Sequence, residues 1–330
     1  MDWGQILVSG ILAMVGPITA GYALSAIGLN LQFGYSGLLN FGHVAFMLVG
    51  AYGVGITVQA GGPLWLGIAV GVGAAALLGL LLGIPTLRLR ADYFAITSIA
   101  VAEVIRLVVR SSSAAPVTGG VFGIQRFAND FYALNPFSAT TLYGSGPLVI
   151  TGRTMWLMVV GWALVLLAIL FVRRLINSPW GRVLKAIRED EDATSSLGKH
   201  VFAYKLQALM IGGAIAGLAG ILFALDQQNI HPDNYQTAIT FQLYVMVILG
   251  GAGTIWGPLL GGALFSFIFF STDALFARLQ ANVDWIGQLL TPAEAGLIKY
   301  ILVGVVLMLL MAFRPQGLLG RSGEGRVGDS

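Results

Sequence analysis

Residues 154–175 read TMWLMVVGWALVLLAILFVRRL, nineteen residues without a charge and then an arginine pair. A helix rises 1.5 Å per residue, so about 20 apolar residues cross a hydrocarbon core of about 30 Å. The run specifies a membrane-spanning helix. Comparable runs lie near 5–27, 37–60, 64–86, 92–110, 205–227, 239–256, 257–278 and 296–313. The composition agrees: 57% of the 330 residues are hydrophobic and 10% are charged, against about 25% charged in soluble domains. Glycine, at 45 residues, is about twice its usual share, as expected where helices approach closely. A transmembrane barrel would instead show alternating segments of about ten residues. The expected fold is therefore all-α: one polytopic transmembrane domain over residues 1–330 with eight or nine helices. The second, seventh and eighth runs are rich in glycine and are expected to be short, broken or re-entrant. Eight spans result if 28–36 is re-entrant.

The basic residues orient the chain, because Lys and Arg collect in short cytoplasmic loops. Residues 173–205 hold seven of them. With that stretch and the 314–330 tail inside, twelve Lys and Arg fall on the cytoplasmic side. The long 111–153 segment then lies outside with only Arg126 and Arg153. Nine spans, an external N-terminus and a cytoplasmic C-terminus satisfy this count. MDWGQILVSG lacks the positive region of a cleaved signal peptide, so its apolar run reads as a retained span.

Several chemistries are excluded or unsupported. There is no cysteine, hence no disulfide or thiolate metal site. None of the four lysines (Lys185, Lys199, Lys205, Lys299) sits in a phosphate-binding loop. His43, His200 and His231 fall on separate segments without metal-ligand spacing. No intrinsic enzyme, metal, cofactor or nucleic-acid partner is expected.

Three polar stretches remain. In 176–204, Ser178-Pro179-Trp180-Gly181 reads as a turn that starts a helix. Val183, Leu184 and Ile187 share one face, and Arg182, Lys185 and Arg188 recur at three-residue steps on a neighbouring one. The acidic run Glu189, Asp190, Glu191, Asp192 follows, and Gly198 is placed to close the helix. This is either a solvated surface helix or one that docks into a groove of a cytoplasmic partner. The second stretch sets Asn30, Gln32, Tyr35, Ser36, Asn40 and His43 among apolar residues and glycines. Polar groups at membrane depth are costly unless partnered or facing a cavity, so these serve either helix packing or a substrate pathway whose broken helices expose amides. Third, Glu103, Arg106 and Arg110 share a face of the fourth run, as a structural ion pair or as part of the pathway. Residues 249–257 read as a further turning element.

The stretch SPWGRVLKAIREDEDATSSLGKHVFAYKLQALMIGGAIAGLAG resembles the corresponding loop and helix of LivM-type permeases, the membrane subunits of branched-chain amino acid ABC importers. LNLQFGYSGLLNFGHVAFMLVGAYGVG (29–55), LRLRADYFAITSIAVAEVIRLV (87–108) and LGGAGTIWGPLLGGAL (249–264) agree in order, so the resemblance covers roughly residues 20–320. Urea and amide permeases share these segments. Glu191–Gly198 corresponds to the family's Glu-Ala-Ala-x-x-x-Gly motif, but its Glu lies one residue further from the Gly and Thr194 replaces a small Ala. The resemblance implies a multi-pass inner-membrane subunit that docks two cytoplasmic ATPase subunits through 176–204, pairs with a related permease subunit and receives cargo from an external substrate-binding protein. A transporter driven by an ion gradient would also explain the spans, though not the docking segment. A non-transporting scaffold would explain neither the polar nor the glycine-broken segments.

Overall fold

A computed structural model describes residues 3–138, 141–145, 148–282 and, between 298 and 320, residues 298, 301, 304–305, 308–309, 312–314 and 316–320. The described chain is helical, with two short strand pairings. The principal helices are α1 (Trp3–Val15), α2 (Pro17–Asn30), α3 (Val44–Gln59), α4 (Leu64–Thr86) and α5 (Ala91–Arg110). Two short ones, α6 (Ala115–Thr118) and α7 (Asn129–Ala133), precede α8 (Gly152–Ile176), α9 (Pro179–Glu189) and α10 (Glu191–Ser196). The last are α11 (Val201–Gln227), α12 (Thr237–Gly250) and α13 (Gly257–Asn282).

The first apolar run is not one straight span. Gly16 is extended (ψ 162°) and Pro17 opens α2, and proline has no N–H to continue the α1 ladder. The two helices meet at a 50° bend and are together long and apolar enough to cross a membrane. So are α4, α8, α11 and α13 through Phe276. The chain is a multi-pass helical membrane protein. α5 has 20 residues but carries Asp92, Glu103, Arg106 and Arg110.

Two of the three runs expected to be short or broken are so. α2 passes into a π turn at Leu31–Tyr35, the chain is non-helical from Ser36 to His43, and α3 has only 16 residues. α12 has 14 residues and stops at Gly250. At 1.5 Å per residue these reach about 24 and 21 Å, less than a core of about 30 Å. The eighth run differs from expectation: α13 is continuous, and the break falls before it, at 251–256. In the ninth run, residues 298, 301, 304–305, 308–309 and 312–313 are helical. Its other residues, the 283–295 connection and the tail beyond Gly320 lie outside the described residues.

α11 is the axis of the bundle and packs on α2, α3 and α4. Its apolar stretch is 78% buried, against 33% for α4 and α8, whose outer faces are left for lipid. Glycines permit the close approach. A Cβ on Gly50 of α3 would lie 2.3 Å from the Gly217 carbonyl of α11, and one on Gly71 of α4 would lie 2.5 Å from the Gly50 carbonyl.

The described residues of the 111–153 segment form short helices and strands rather than a featureless loop. Strand β1 (Ile124–Gln125) pairs antiparallel with β4 (Asn229–Ile230), and β2 (Leu142–Ser145) with β3 (Leu148–Thr151). Ile124 and Ile230 are fully buried and cover the α3 backbone at Gly55. Tyr132 donates to the Leu225 carbonyl at 2.8 Å. This layer closes the end of the bundle opposite α9.

Candidate coupling and pathway site

Ser178 is extended before α9 and Pro179 takes its first turn, as the sequence suggests. Leu184 and Ile187 are buried against the bundle. Gly181 lies flush on the end of α8, where a Cβ would meet the Ile176 carbonyl at 2.2 Å. Trp180 donates to Gln207 Oε1 of α11 at 2.7 Å. The helix expected to run on to Gly198 instead breaks at Asp190 (φ −152°, ψ 108°), whose carboxylate accepts from the Ala193 amide at 2.8 Å. Asp190 is thus an N-cap. Glu191 pairs with Lys205 of α11. Gly198, at φ +75°, turns the chain out of α10. Arg182, Lys185, Glu189 and Asp192 are exposed, and so is Leu197, at 80%.

Arg188 is exposed as well, but its guanidinium turns back onto the bundle. Its Nη1 donates to the Gly34 carbonyl at 2.5 Å. That carbonyl lies in the last turn of a helix, where oxygens lack intrahelical donors and the dipole favours a cation. A Cβ on Gly253 would lie 2.6 Å from the same Nη1 and 2.9 Å from the Gly34 oxygen. Asn30 joins the two glycine-rich segments: its Nδ2 donates to the Thr254 carbonyl and its Oδ1 accepts from the Gly253 amide, each at 2.8 Å. Segments more than 200 residues apart in sequence therefore meet beneath α9.

Ser36, Asn40 and His43 are buried in a different cluster, centred on Gln32. Gln32 Nε2 donates to the Leu209 carbonyl of α11 at 3.0 Å, and its Oε1 accepts from Asn40 Nδ2 at 2.9 Å. His43 Nδ1 lies 3.0 Å from the same Oε1, and its Nε2 lies 3.1 Å from the Ser25 carbonyl. Ser36 donates to the Gln32 carbonyl at 2.5 Å. A neutral imidazole donates from one ring nitrogen only, so His43 bonds one of these two acceptors. The contacts hold the non-helical stretch to the protein, which favours the packing role over direct ligand contact. Two hydroxyls that the sequence reading missed complete the cluster. Ser98 of α5 accepts from the Phe41 and Gly42 amides at 3.1 and 3.2 Å, and Thr240 of α12 accepts from the Val44 amide at 3.0 Å. Each is a hydroxyl in a largely apolar helix, which is the signal that would have found it.

Gln32→Leu would leave Asn40 Nδ2 without its acceptor and remove the Gln32 contacts to His43 and to the Leu209 carbonyl. Leaving a buried polar group unpaired costs about 1–3 kcal/mol. The expected outcome is a clearly lower Tm of the detergent-purified protein, with membrane insertion retained. An unchanged Tm would mean that the cluster does not hold the break together.

The third group lies on α5. Arg106 donates to Glu103 Oε2 at 3.1 Å and Oε1 at 2.5 Å, the pair expected from spacing. It also donates to Asp233 at 2.5 Å, and Arg110 lies 3.4 Å from the same carboxylate. Asp233 sits in the 3₁₀ turn Pro232–Tyr235 before α12. No local spacing points to it, since it is 127 residues from Arg106. The charged face of α5 thus ties that helix to the layer opposite α9. Tyr35 lies on the α9 side, buried beneath Lys185, whose Nζ lies 5.9 Å from its ring centre.

The geometry is that of a membrane protein with a surface helix mechanically joined to two broken segments. The family described as branched-chain amino acid transport system permease components matches residues 11–311. The chain belongs to this family. The high-affinity branched-chain amino acid transport system permease protein LivM of Salmonella typhimurium is 30% identical over 315 residues, covering 92% of this chain and 69% of the relative. The probable branched-chain amino acid transport permease protein LivM of Methanocaldococcus jannaschii is 29% identical, covering 90% of each. The permease protein BraD of Pseudomonas aeruginosa is 26% identical over 93% of this chain. No solved structure matches. As an ABC permease component the chain is a transport subunit rather than an enzyme, and its work is done with ATPase and substrate-binding partners.

Proposed function

We propose that this subunit moves branched-chain or chemically related amino acids into the cell by alternating access, paired with a related permease subunit. Two cytoplasmic ATPase subunits power the cycle and an external binding protein delivers the cargo. The α9–α10 segment within 176–204 and the 314–330 tail face the cytoplasm and 111–153 faces outward in this reading, which the distribution of Lys and Arg supports.

The observation that carries this reading is the bond from Arg188 to the Gly34 carbonyl, beside Gly253. A pull on α9 has a direct route to both broken segments. Arg182, Lys185, Glu189, Asp192 and Leu197 stand on the surface, available to an ATPase groove. Asp190, Glu191 and Gly198 shape that surface through a cap, an ion pair and a turn. Closure of the ATPases on ATP shifts α9, and the spans joined to it rock between outward and inward openings. Asn30 holds the two broken segments in register. The Glu103–Arg106–Asp233 pairs hold the outer layer on α5.

Leu197→Cys tests the docking surface. In native membranes, a thiol-reactive crosslinker is expected to join this position to a P-loop ATPase, with the yield changing on ATP addition. Crosslinks to lipid or to this chain alone, with no ATPase or second permease retained through gentle purification, would overturn the assignment.

A further inference from the structure

A cavity of about 470 Å³ opens beside the Arg188 contact, between α9, the end of α8 and the 253–256 turn. Its volume falls in the range of small-molecule sites, about 300–1,000 Å³, which combine apolar walls with a few placed polar groups. Lys185 supplies the positive charge. Tyr35 and Trp256 supply aromatic wall, and Ile255 and Leu319 supply aliphatic wall. Gly253 lines it too, so one residue borders both this space and the Arg188 guanidinium.

Lys185, the neutral polar Asn177 and Thr254, and the aliphatic and aromatic wall match a zwitterion with an apolar side chain: the lysine takes the carboxylate, and neutral amide and hydroxyl oxygens accept from the ammonium. They do not match a polyanion, which would need several cations. We propose that the cavity is a second amino-acid site, on the docking-helix side of the membrane. The cargo carboxylate sits on Lys185 and its side chain lies against Ile255 and Leu319. A filled cavity props the Gly253 turn in place and so biases the link between α9 and the broken segments. The ligand arrives either in transit from the pathway or from the cytosolic pool. This inference rests on the amino-acid importer reading above.

The test uses the purified importer assembly in lipid nanodiscs, titrated with L-leucine and read by tryptophan fluorescence. The Trp256→Phe assembly, subtracted, isolates the signal of that side chain. Equilibrium dialysis with radiolabelled leucine supplies a readout independent of it. A saturable Trp256 signal is expected, with affinity at least tenfold weaker in Lys185→Gln and in the cavity-filling Ile255→Phe. Leucinol, which lacks the carboxylate, is expected to bind at least tenfold more weakly as well. A wild-type assembly without a saturable signal, or equal affinities in wild type and Lys185→Gln, would overturn the proposal. In proteoliposomes, slowed uptake on adding leucine to the docking-helix side alone assigns the ligand to the cytosolic pool, and unchanged uptake with binding intact assigns it to transit. An assembly that transports leucine without filling this cavity loses only this inference. One that neither transports nor binds leucine loses the importer reading.

Discussion

Arg188→Ala is expected to cut ATP-driven uptake at least tenfold while the protein still inserts, assembles and supports ATP hydrolysis. Arg188 bonds the Gly34 carbonyl through Nη1. A hydrogen bond from a charged group contributes about 1.5–3 kcal/mol, and 1.4 kcal/mol is a factor of ten in an equilibrium. Removing it shifts the balance between linked and unlinked positions of α9 by one to two such factors. α9 would remain seated through Leu184, Ile187 and the Gly181 contact with α8. The loss should therefore appear in cargo moved per ATP rather than in folding. Arg188→Lys keeps the charge and loses the planar fork, so an intermediate ratio is expected. Both variants are to be compared with wild type in proteoliposomes, with uptake and phosphate release measured together. A normal ratio in Arg188→Ala would show that the contact does not transmit the stroke.

Gly50→Val is expected to remove the folded protein from the membrane altogether. The added Cβ would lie 2.3 Å from the Gly217 carbonyl and 2.5 Å from the Gly217 Cα. Both neighbours are backbone of the central helix, so no side chain can swing aside. Overpacking costs about 1–3 kcal/mol where side chains can yield, and separating α3 from α11 would cost more. Gly73→Ala on α4 is the control, because its Cβ meets nothing within 4 Å. Ala is favoured over Gly in a helix interior by about 0.5–1 kcal/mol, so this variant should be as stable as wild type or slightly more so. Size-exclusion profiles of detergent extracts distinguish the two, and a monodisperse Gly50→Val peak at wild-type yield would contradict the packing account.

What could be read from the sequence follows the physics of each signal. Long apolar runs and the distribution of Lys and Arg depend on local composition, so α4, α8 and α11 stand where the hydropathy places them. Breaks depend on single residues: the bend at Pro17 and the Asp190 cap inside the expected docking helix went unread. The glycine-rich stretches were legible as irregular, but their meeting was not. Asn30 bonds to residues 223 and 224 positions away, and nothing local encodes such a partner. The same holds for Asp233. Arg188 illustrates the subtler case. Helical spacing put it in one series with Arg182 and Lys185, and all three are exposed, yet Arg188 bonds the Gly34 carbonyl and Lys185 lies over the Tyr35 ring at the end of the same broken helix, partners that no local spacing encodes.

The central claim is that ATP, acting through α9, drives import. The most direct measurement is radiolabelled leucine uptake into proteoliposomes holding the purified assembly, with the binding protein outside and ATP inside. Uptake is expected only with ATP, is expected to survive collapse of proton and sodium gradients, and is expected to fall at least tenfold in Arg188→Ala. Uptake that persists without ATP and fails when the gradients are collapsed would contradict the account and identify a gradient-driven transporter.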